Sequence, residues 1–370
     1  MNGHGAAAGV TGGAPDDASV PVVVDDRHRR HDPPFELNAG QRVSPVFERP
    51  ARLDAIQASL DREGHRRVPA VVHDDTALTA VHDPAMVAFL RDGYAAWRRA
   101  GGPETMIADT FRSPRWNAGG RPSASPIAQL GWWCFDTATP LVAGSFTAAR
   151  GAVDVALTGA DLLSDGAPAV YALTRPPGHH AGRDYFGGFC LFNHAAVAAQ
   201  ALTAGGRVTV LDVDVHHGNG TQDLFWRSAA VQYVSLHGSP DHLYPYFSGF
   251  ADEVGEGPGR GTTHNVPLPR GTTDASYLAA LDAALDAVHA FDPATVVVSL
   301  GLDASEHDPI GTLGLTTAGF HALGERVGSL RRPTLLLQEG GYALEHLGRL
   351  ATAVLAGITA GQRTGGRSAR

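Results

Sequence analysis

With 370 residues, 43% of them apolar and 18% charged, the chain can bury one large core and lacks the composition of a disordered protein. A formal net charge of −9 argues against a nucleic-acid partner, which wants a basic face. Cys134 and Cys190, both in apolar stretches, exclude a disulfide framework, and no apolar run reaches the roughly 18 residues of a membrane span; the expected location is the cytoplasm.

Residues 1–20 are rich in Gly, Ala and Asp and lack the basic start and apolar centre of a signal peptide, so they read as a disordered leader. One domain is expected over 21–360. Its first helices are predicted over Arg52–Glu63, Pro84–Arg99 and Ser145–Leu163, with a long loop over about 101–129 between the last two. From there, short β-branched runs alternate with Ala-rich segments. Strands are predicted over Ala169–Thr174, Val208–Val213, Val231–Leu236, Val296–Leu300 and Thr334–Gln338, and helices over Asn193–Ala204, Asp274–Ala290 and Thr316–Leu330. Near-continuous apolar strands separated by amphipathic helices imply a parallel sheet covered on both faces. The Gly255–Gly261 run lacks the Lys-Ser/Thr ending of a phosphate loop and reads as an ordinary loop. Residues 361–370 read as a flexible tail.

Four of these strands run straight into a polar cluster. Thr174 leads to Arg-Pro-Pro-Gly-His179-His180, Leu211 to Asp212-Val-Asp214-Val-His216, Leu300 to Gly-Leu-Asp303, and Gln338 to Glu-Gly-Gly-Tyr342. Open α/β sheets bind ligands outside the carboxyl ends of their strands, so the four clusters should meet. Alternate residues of an extended segment share a face, which lets Asp214 and His216 chelate one metal. Mixed Asp and His donors suit zinc, with iron or cobalt possible, and Asp303 is the natural third ligand of a catalytic ion with an open position. His179 and His180, on a stiff turn, could serve as general base and electrostatic stabiliser; Asp212 and Asn219 are candidate partners for their far nitrogens. Tyr342, after two glycines, could donate to a developing oxyanion. His28, His31, His65, His73, His289 and His321 show no ligand spacing and read as surface or core residues.

Taken together, RPPGHHA (175–181), GGFCLFNHAAVAA (187–199), LDVDVHHGNGTQD (211–223), VSLHG (234–238), VSLGLDASEHDPIG (298–311) and EGGY (339–342) resemble the histone deacetylase superfamily, most closely its bacterial acetylpolyamine amidohydrolases. Weaker similarity runs from about His28 to Gly361. The resemblance implies an arginase/deacetylase-like three-layer α/β fold, with a central eight-stranded parallel sheet and helices on both faces. It implies one Zn2+ held by Asp214, His216 and Asp303, with His180 as general base and acid, His179 as electrostatic partner and Tyr342 polarising the carbonyl. It further implies a structural K+ at Asp212, the Ser235 hydroxyl and the Leu236 carbonyl. Gly188, Phe189 and Tyr244 would line the substrate channel, and Arg52 would stand near an acetate exit. The expected reaction removes an acetyl group from a small amine in a homodimer joined through 101–129.

The chain also departs from the polyamine pattern. Ile127 and Ala138 fall where those enzymes carry glutamates for a distant ammonium, Asn38 falls near their channel tyrosine, and Ile310, seven residues after Asp303, is no acidic gatekeeper. Asp136, matching a rim aspartate of other deacetylases, could take over. Acetyl-lysine in a protein and an acylated intermediate of secondary metabolism remain alternative substrates. A two-manganese arginase-type site is disfavoured because Gly301 stands where an extra carboxylate would be needed, and a non-catalytic acetyl-amine sensor because the whole reactive set is present.

Overall fold

The computed structural model describes residues 19–113 and 120–364. All but the last two residues of the expected leader, the centre of the 101–129 segment and residues 365–370 lie outside the described residues.

The first half contains β1 (Val22–Val24), β2 (Glu36–Asn38), β3 (Gln41–Val43), α1 (Ala51–Arg62), β4 (Arg67–Pro69), α2 (Thr76–Val81), α3 (Pro84–Arg99), α4 (Pro126–Trp133) and α5 (Ser145–Ser164). Then follow β5 (Ala169–Ala172), α6 (His194–Leu202), β6 (Val208–Asp212), α7 (Asn219–Phe225), β7 (Val231–Gly238) and β8 (Thr263–Leu268). The chain finishes with α8 (Asp274–Phe291), β9 (Thr295–Leu300), α9 (Thr317–Ser329), β10 (Thr334–Gln338) and α10 (Leu344–Thr364).

Eight strands form one parallel sheet in the order β4-β1-β5-β10-β9-β6-β7-β8. The strands' period of two divides the core. Val210, Val297, Leu335 and Leu337 face a cluster built with Phe89 of α3, Val153 of α5 and Ala196 of α6. Leu211, Val296, Val298 and Leu336 face the opposite cluster, with Ile56 of α1, Leu281 of α8, Phe320 of α9 and Leu350 of α10. The result is the three-layer arrangement expected. Local signals set the helix starts: Asn193 Oδ1 accepts from Ala196 N–H at 2.9 Å at the start of α6, and Asp83 caps α3 ahead of Pro84.

Register levels the strand ends. Asp212 stands opposite Ser235 on one side and Ser299 on the other, and Gln338 opposite Leu300. The polar clusters that follow β5, β6, β9 and β10 therefore emerge on one edge of the sheet. Three sheet strands, β1, β4 and β8, were not expected from the sequence, and neither was α10. That last helix runs through Gly361–Thr364, so the expected tail cannot begin at 361. Part of the 101–129 loop is also helical, since α4 begins at Pro126. Among the described residues no helix is long and apolar enough to cross a membrane.

Candidate active site

The extended segment leaving β6 carries Asp214 and His216, and the one leaving β9 carries Asp303. His216 Nδ1 lies 3.2 Å from Asp214 Oδ1 and 3.3 Å from Asp303 Oδ2. One ligand atom from each of the three falls within 4.8 Å of the others, and all three residues are buried. Backbone amides hold the carboxylates in place: His216 N–H donates to Asp214 Oδ1 at 2.9 Å, Gly340 N–H to Asp214 Oδ2 at 2.8 Å and Val215 N–H to Asp303 Oδ1 at 2.9 Å. Gly301 and Gly340 allow this approach. A Cβ at 301 would meet Asp214 Oδ2 at 2.2 Å, and one at 340 would meet Asp303 Oδ2 at 2.0 Å.

Asp303 Oδ2 is buried with no hydrogen-bond partner. Burial and the Asp214 charge push its carboxyl up to about 7. Two carboxylates packed in this way are costly unless a cation joins them. Three nitrogen and oxygen donors with an open side fit a catalytic zinc, and iron or cobalt would accept the same set. His179, Cys190 and Glu339 also gather within 4.8 Å. Burial pushes the Cys190 thiol well up, however, and it donates to the Gly188 carbonyl at 3.3 Å, so this trio reads as a hydrogen-bonded floor.

The turn after β5 is held by Glu339, whose Oε2 accepts from Gly178 N–H at 2.6 Å and His179 N–H at 3.3 Å. The two imidazoles then differ by their partners. Burial alone would lower the His179 ring, but Asp212, 3.0 Å away, and Asp214 outweigh it and hold it up at about 10. His180 Nδ1 lies 2.7 Å from Asn219 Oδ1, at the start of α7. A carboxamide oxygen only accepts, so Nδ1 carries the hydrogen and Nε2 keeps its lone pair. Burial and the neighbouring His179 and His216 hold this ring well below its ordinary value, hence neutral.

Tyr342 N–H donates to Asp308 Oδ2 at 2.7 Å, and burial keeps the phenol protonated by pushing it well up. Fully buried Arg52 lies 4.7 Å under the Tyr342 ring. It donates to the Gly341 carbonyl at 2.6 Å and pairs with Glu48 at 2.8 Å, which also binds Arg175 at 2.7 Å. Ser235 Oγ lies 2.8 Å from His237 Nδ1, while His237 Nε2 lies 2.8 Å from the Gly249 carbonyl. The ring therefore donates from Nε2 and accepts from Ser235, leaving that oxygen's lone pairs free.

His179, His180, His216 and Tyr342 all line a cavity of about 520 Å³, whose wall also includes Gly188, Phe189, Tyr244, Asp136 and Ile310. Gly188 and Phe189 both sit at positive φ, +58° and +66°. A side chain at 188 would also meet His180 Cδ2 at 2.3 Å, so the turn needs glycine.

Two expectations for this wall are corrected. Asp136 is no free rim acid: Oδ2 accepts from Gly188 N–H at 2.6 Å and Tyr244 O–H at 2.9 Å, and Oδ1 from Thr139 O–H at 2.9 Å and Ala138 N–H at 3.1 Å. Its capacity is spent on the wall itself. Ile127 does not line this cavity but packs against the core. Asn38 and Ala138 do line it. So do His242, Arg270 and Thr312, which sequence reasoning missed because each sits in a loop without a motif.

A parallel sheet whose strand ends deliver these clusters defines a class, and the comparisons agree with it. The sequence pattern of the histone deacetylase domain matches residues 46–358, and the chain belongs to the histone deacetylase family. It is 40% identical to acetylpolyamine amidohydrolase 1 of Pseudomonas aeruginosa, over 92% of this chain and 99% of that one. It is 38% identical to the acetylpolyamine amidohydrolase of Mycoplana ramosa, over 91% of this chain and 99% of that one. The crystal structure of an acetylpolyamine aminohydrolase from Burkholderia pseudomallei superposes with a TM-score of 0.88 at 36% identity, covering 93% of this chain and 99% of that one.

Proposed function

We propose that this chain is a zinc-dependent deacetylase that hydrolyses the N-acetyl amide of a small amine to acetate and the free amine. One observation carries the reading: the buried Asp214–His216–Asp303 cluster, with an unpartnered carboxylate oxygen, stands at a cavity that it shares with a neutral His180 and a protonated Tyr342. The names of the relatives support an acetylated amine, polyamines among them, as substrate.

A bound zinc supplies Lewis-acid activation of the acetamide carbonyl and of water. The protein's own groups do the rest. His180, fixed by Asn219 with Nε2 free, accepts a proton from the attacking water and returns it to the leaving nitrogen. His179, kept cationic between Asp212 and Asp214, favours the negative charge that builds during attack. Tyr342 donates its phenolic proton in a hydrogen bond to the same oxygen. Gly188, Phe189 and Tyr244 exclude water from the substrate's carbon chain, and Arg52 holds the Tyr342 backbone beside the acetate path. Asp212, Ser235 and Leu236 form the candidate potassium site, in line with the free lone pairs on Ser235 Oγ. Homodimerisation through 101–129 completes the reading.

The test is to measure metal content and turnover of acetylputrescine, acetylspermidine and a fluorogenic acetyl-lysine reporter before and after chelation. Loss on chelation with recovery on added zinc is expected. Metal-free protein that remains active, or metal-loaded protein inert on every acetylated amine, would overturn it.

A further inference from the structure

The turn that carries Tyr342 is held by an acid that takes no part in the chemistry so far. Gly340 and Gly341 precede the tyrosine, with Gly341 at φ +118°, and such a backbone is free to take many directions. Three hydrogen bonds fix it. Gly340 N–H donates to Asp214 Oδ2 at 2.8 Å, the Gly341 carbonyl accepts from Arg52 at 2.6 Å, and Tyr342 N–H donates to Asp308 Oδ2 at 2.7 Å. Asp214 and Arg52 have other parts in the site; Asp308, in the loop after β9, has none.

The phenol itself has no comparable tie. Among the described residues no hydrogen bond reaches the Tyr342 hydroxyl. Its ring lies edge-on to Phe47 at 6.3 Å and to Phe189 at 5.8 Å, with Arg52 at 4.7 Å from its centre. Ring contacts of this kind are weak and tolerate sliding, so the backbone at 342 sets where the hydroxyl points. Asp308 also reaches the opposite way. Its Oδ1 accepts from Ile310 N–H and Gly311 N–H, both at 3.1 Å, and those two residues line the cavity. Gly311 packs against the Asp303 backbone, where a Cβ would meet the Asp303 carbonyl at 2.0 Å. One carboxylate thus joins the loop that carries Asp303 to the turn that carries Tyr342, with one oxygen on each.

We propose that Asp308 is a positioning residue for the reaction: through the 342 amide it sets the Tyr342 phenol at the carbonyl oxygen, and it acts on the barrier only by way of that phenol. This rests on the deacetylase reading above. An ionised carboxylate accepts at both oxygens, whereas a carboxamide would turn a donor toward one of the two sides. A donor to an oxyanion works only at the right distance, so a slack backbone at 342 slows the reaction more than it weakens binding.

The test is a kinetic cycle on the zinc-loaded enzyme with the acetyl-lysine reporter: unmodified protein, Asp308→Asn, Tyr342→Phe and the double variant, with zinc content measured for each. Asn keeps an oxygen for the Ile310 and Gly311 amides, a turn that Asx side chains make on their own, and faces Tyr342 N–H with an NH2. Asp308→Asn should lower kcat about tenfold, with KM within about twofold, and should lower it by less than twofold in the Tyr342→Phe background. Asp308→Ser, whose hydroxyl can serve the local turn but falls short of Tyr342, should behave in the same way. Equal losses in both backgrounds, or loss of zinc, overturn the proposal. Amide exchange gives a readout independent of turnover: the peptide over 340–344 should lose protection in Asp308→Asn while β10 keeps its own, and unchanged protection at 340–344 also overturns it. If the unmodified enzyme hydrolyses no acetylated amine, the deacetylase reading fails and the proposal with it; if it does and the losses are additive, the proposal alone fails.

Discussion

The inner and outer halves of the cavity are built by different means. Inside, Asp214, His216, Asp303, His180 and Tyr342 follow strand ends held level by a continuous register, and backbone amides or fixed partners orient each of them. Outside, His242, Arg270 and Thr312 come from loops, and two of the three keep a buried polar atom without a partner. The reactive groups thus stand on the sheet, while the outer wall is built from loops, which can vary without disturbing the sheet.

The sharpest way to break this division is at the inner end. Tyr342→Phe should lower kcat by about 10²–10³-fold, the usual cost of one oxyanion donor, with zinc content unchanged. Loss of the metal, or near-normal turnover, would mean that the phenol does not have a separate role in the inner half. Asp136→Asn tests the seam between the halves. The amide replaces an acceptor with a donor facing Gly188 N–H or Tyr244 O–H, and a buried donor left unpaired costs about 1–3 kcal/mol. If that slackening is felt by the bound substrate, KM should rise about tenfold with kcat changed much less; equal loss in both would place Asp136 with the chemistry instead.

The smallest expected effect concerns the outer wall's support. Glu36, on β2 beside the lining residues Leu37 and Asn38, is 1% exposed with Oε1 unpartnered. Burial, with Glu48 adding to it, pushes its carboxyl up to about 8 from 4.5. A raised acid binds its proton more tightly in the folded state. Its contribution to stability is therefore complete below about 4.5 and is lost as the pH rises toward 8. Glu36→Gln cannot ionise, so its melting temperature at pH 8 should exceed that of the unmodified protein by about 2 °C, with the gap closing near pH 5. A gap independent of pH would assign the change to packing.

The sequence made the central sheet legible because β5, β6, β7, β9 and β10 are buried on both faces and read as unbroken apolar runs, found within two residues of their observed ends. β1 and β4 span three residues each, too few for any period to register. β8 is an edge strand of mixed polarity carrying Pro267, and such strands give a weak signal. The helix α10 was legible in the sequence, since Leu347, Leu350, Val354 and Ile358 recur at helical spacing and are buried; its close packing against α9 was not, where a Cβ at Gly324 would meet the Val354 carbonyl at 2.3 Å, and one at Gly357 the His321 carbonyl at 2.1 Å. The gathering of Asp214, His216 and Asp303 could be anticipated because strand ends impose it. Asp136 was misjudged because the donors that occupy its Oδ2, Gly188 N–H and Tyr244 O–H, stand 52 and 108 residues away and are brought in by folding, while only Ala138 N–H and Thr139 O–H on Oδ1 are local.

The close fit of Gly301 against Asp214 bears on how this site can evolve. If Asp214, His216 and Asp303 hold one ion as proposed, a second would require a new carboxylate at 301, yet even a methyl group there falls 2.2 Å from Asp214 Oδ2. The first ligand would be dislodged before the second ion had a seat, so any lineage moving between one-ion and two-ion chemistry on this sheet must reshape the neighbouring backbone first.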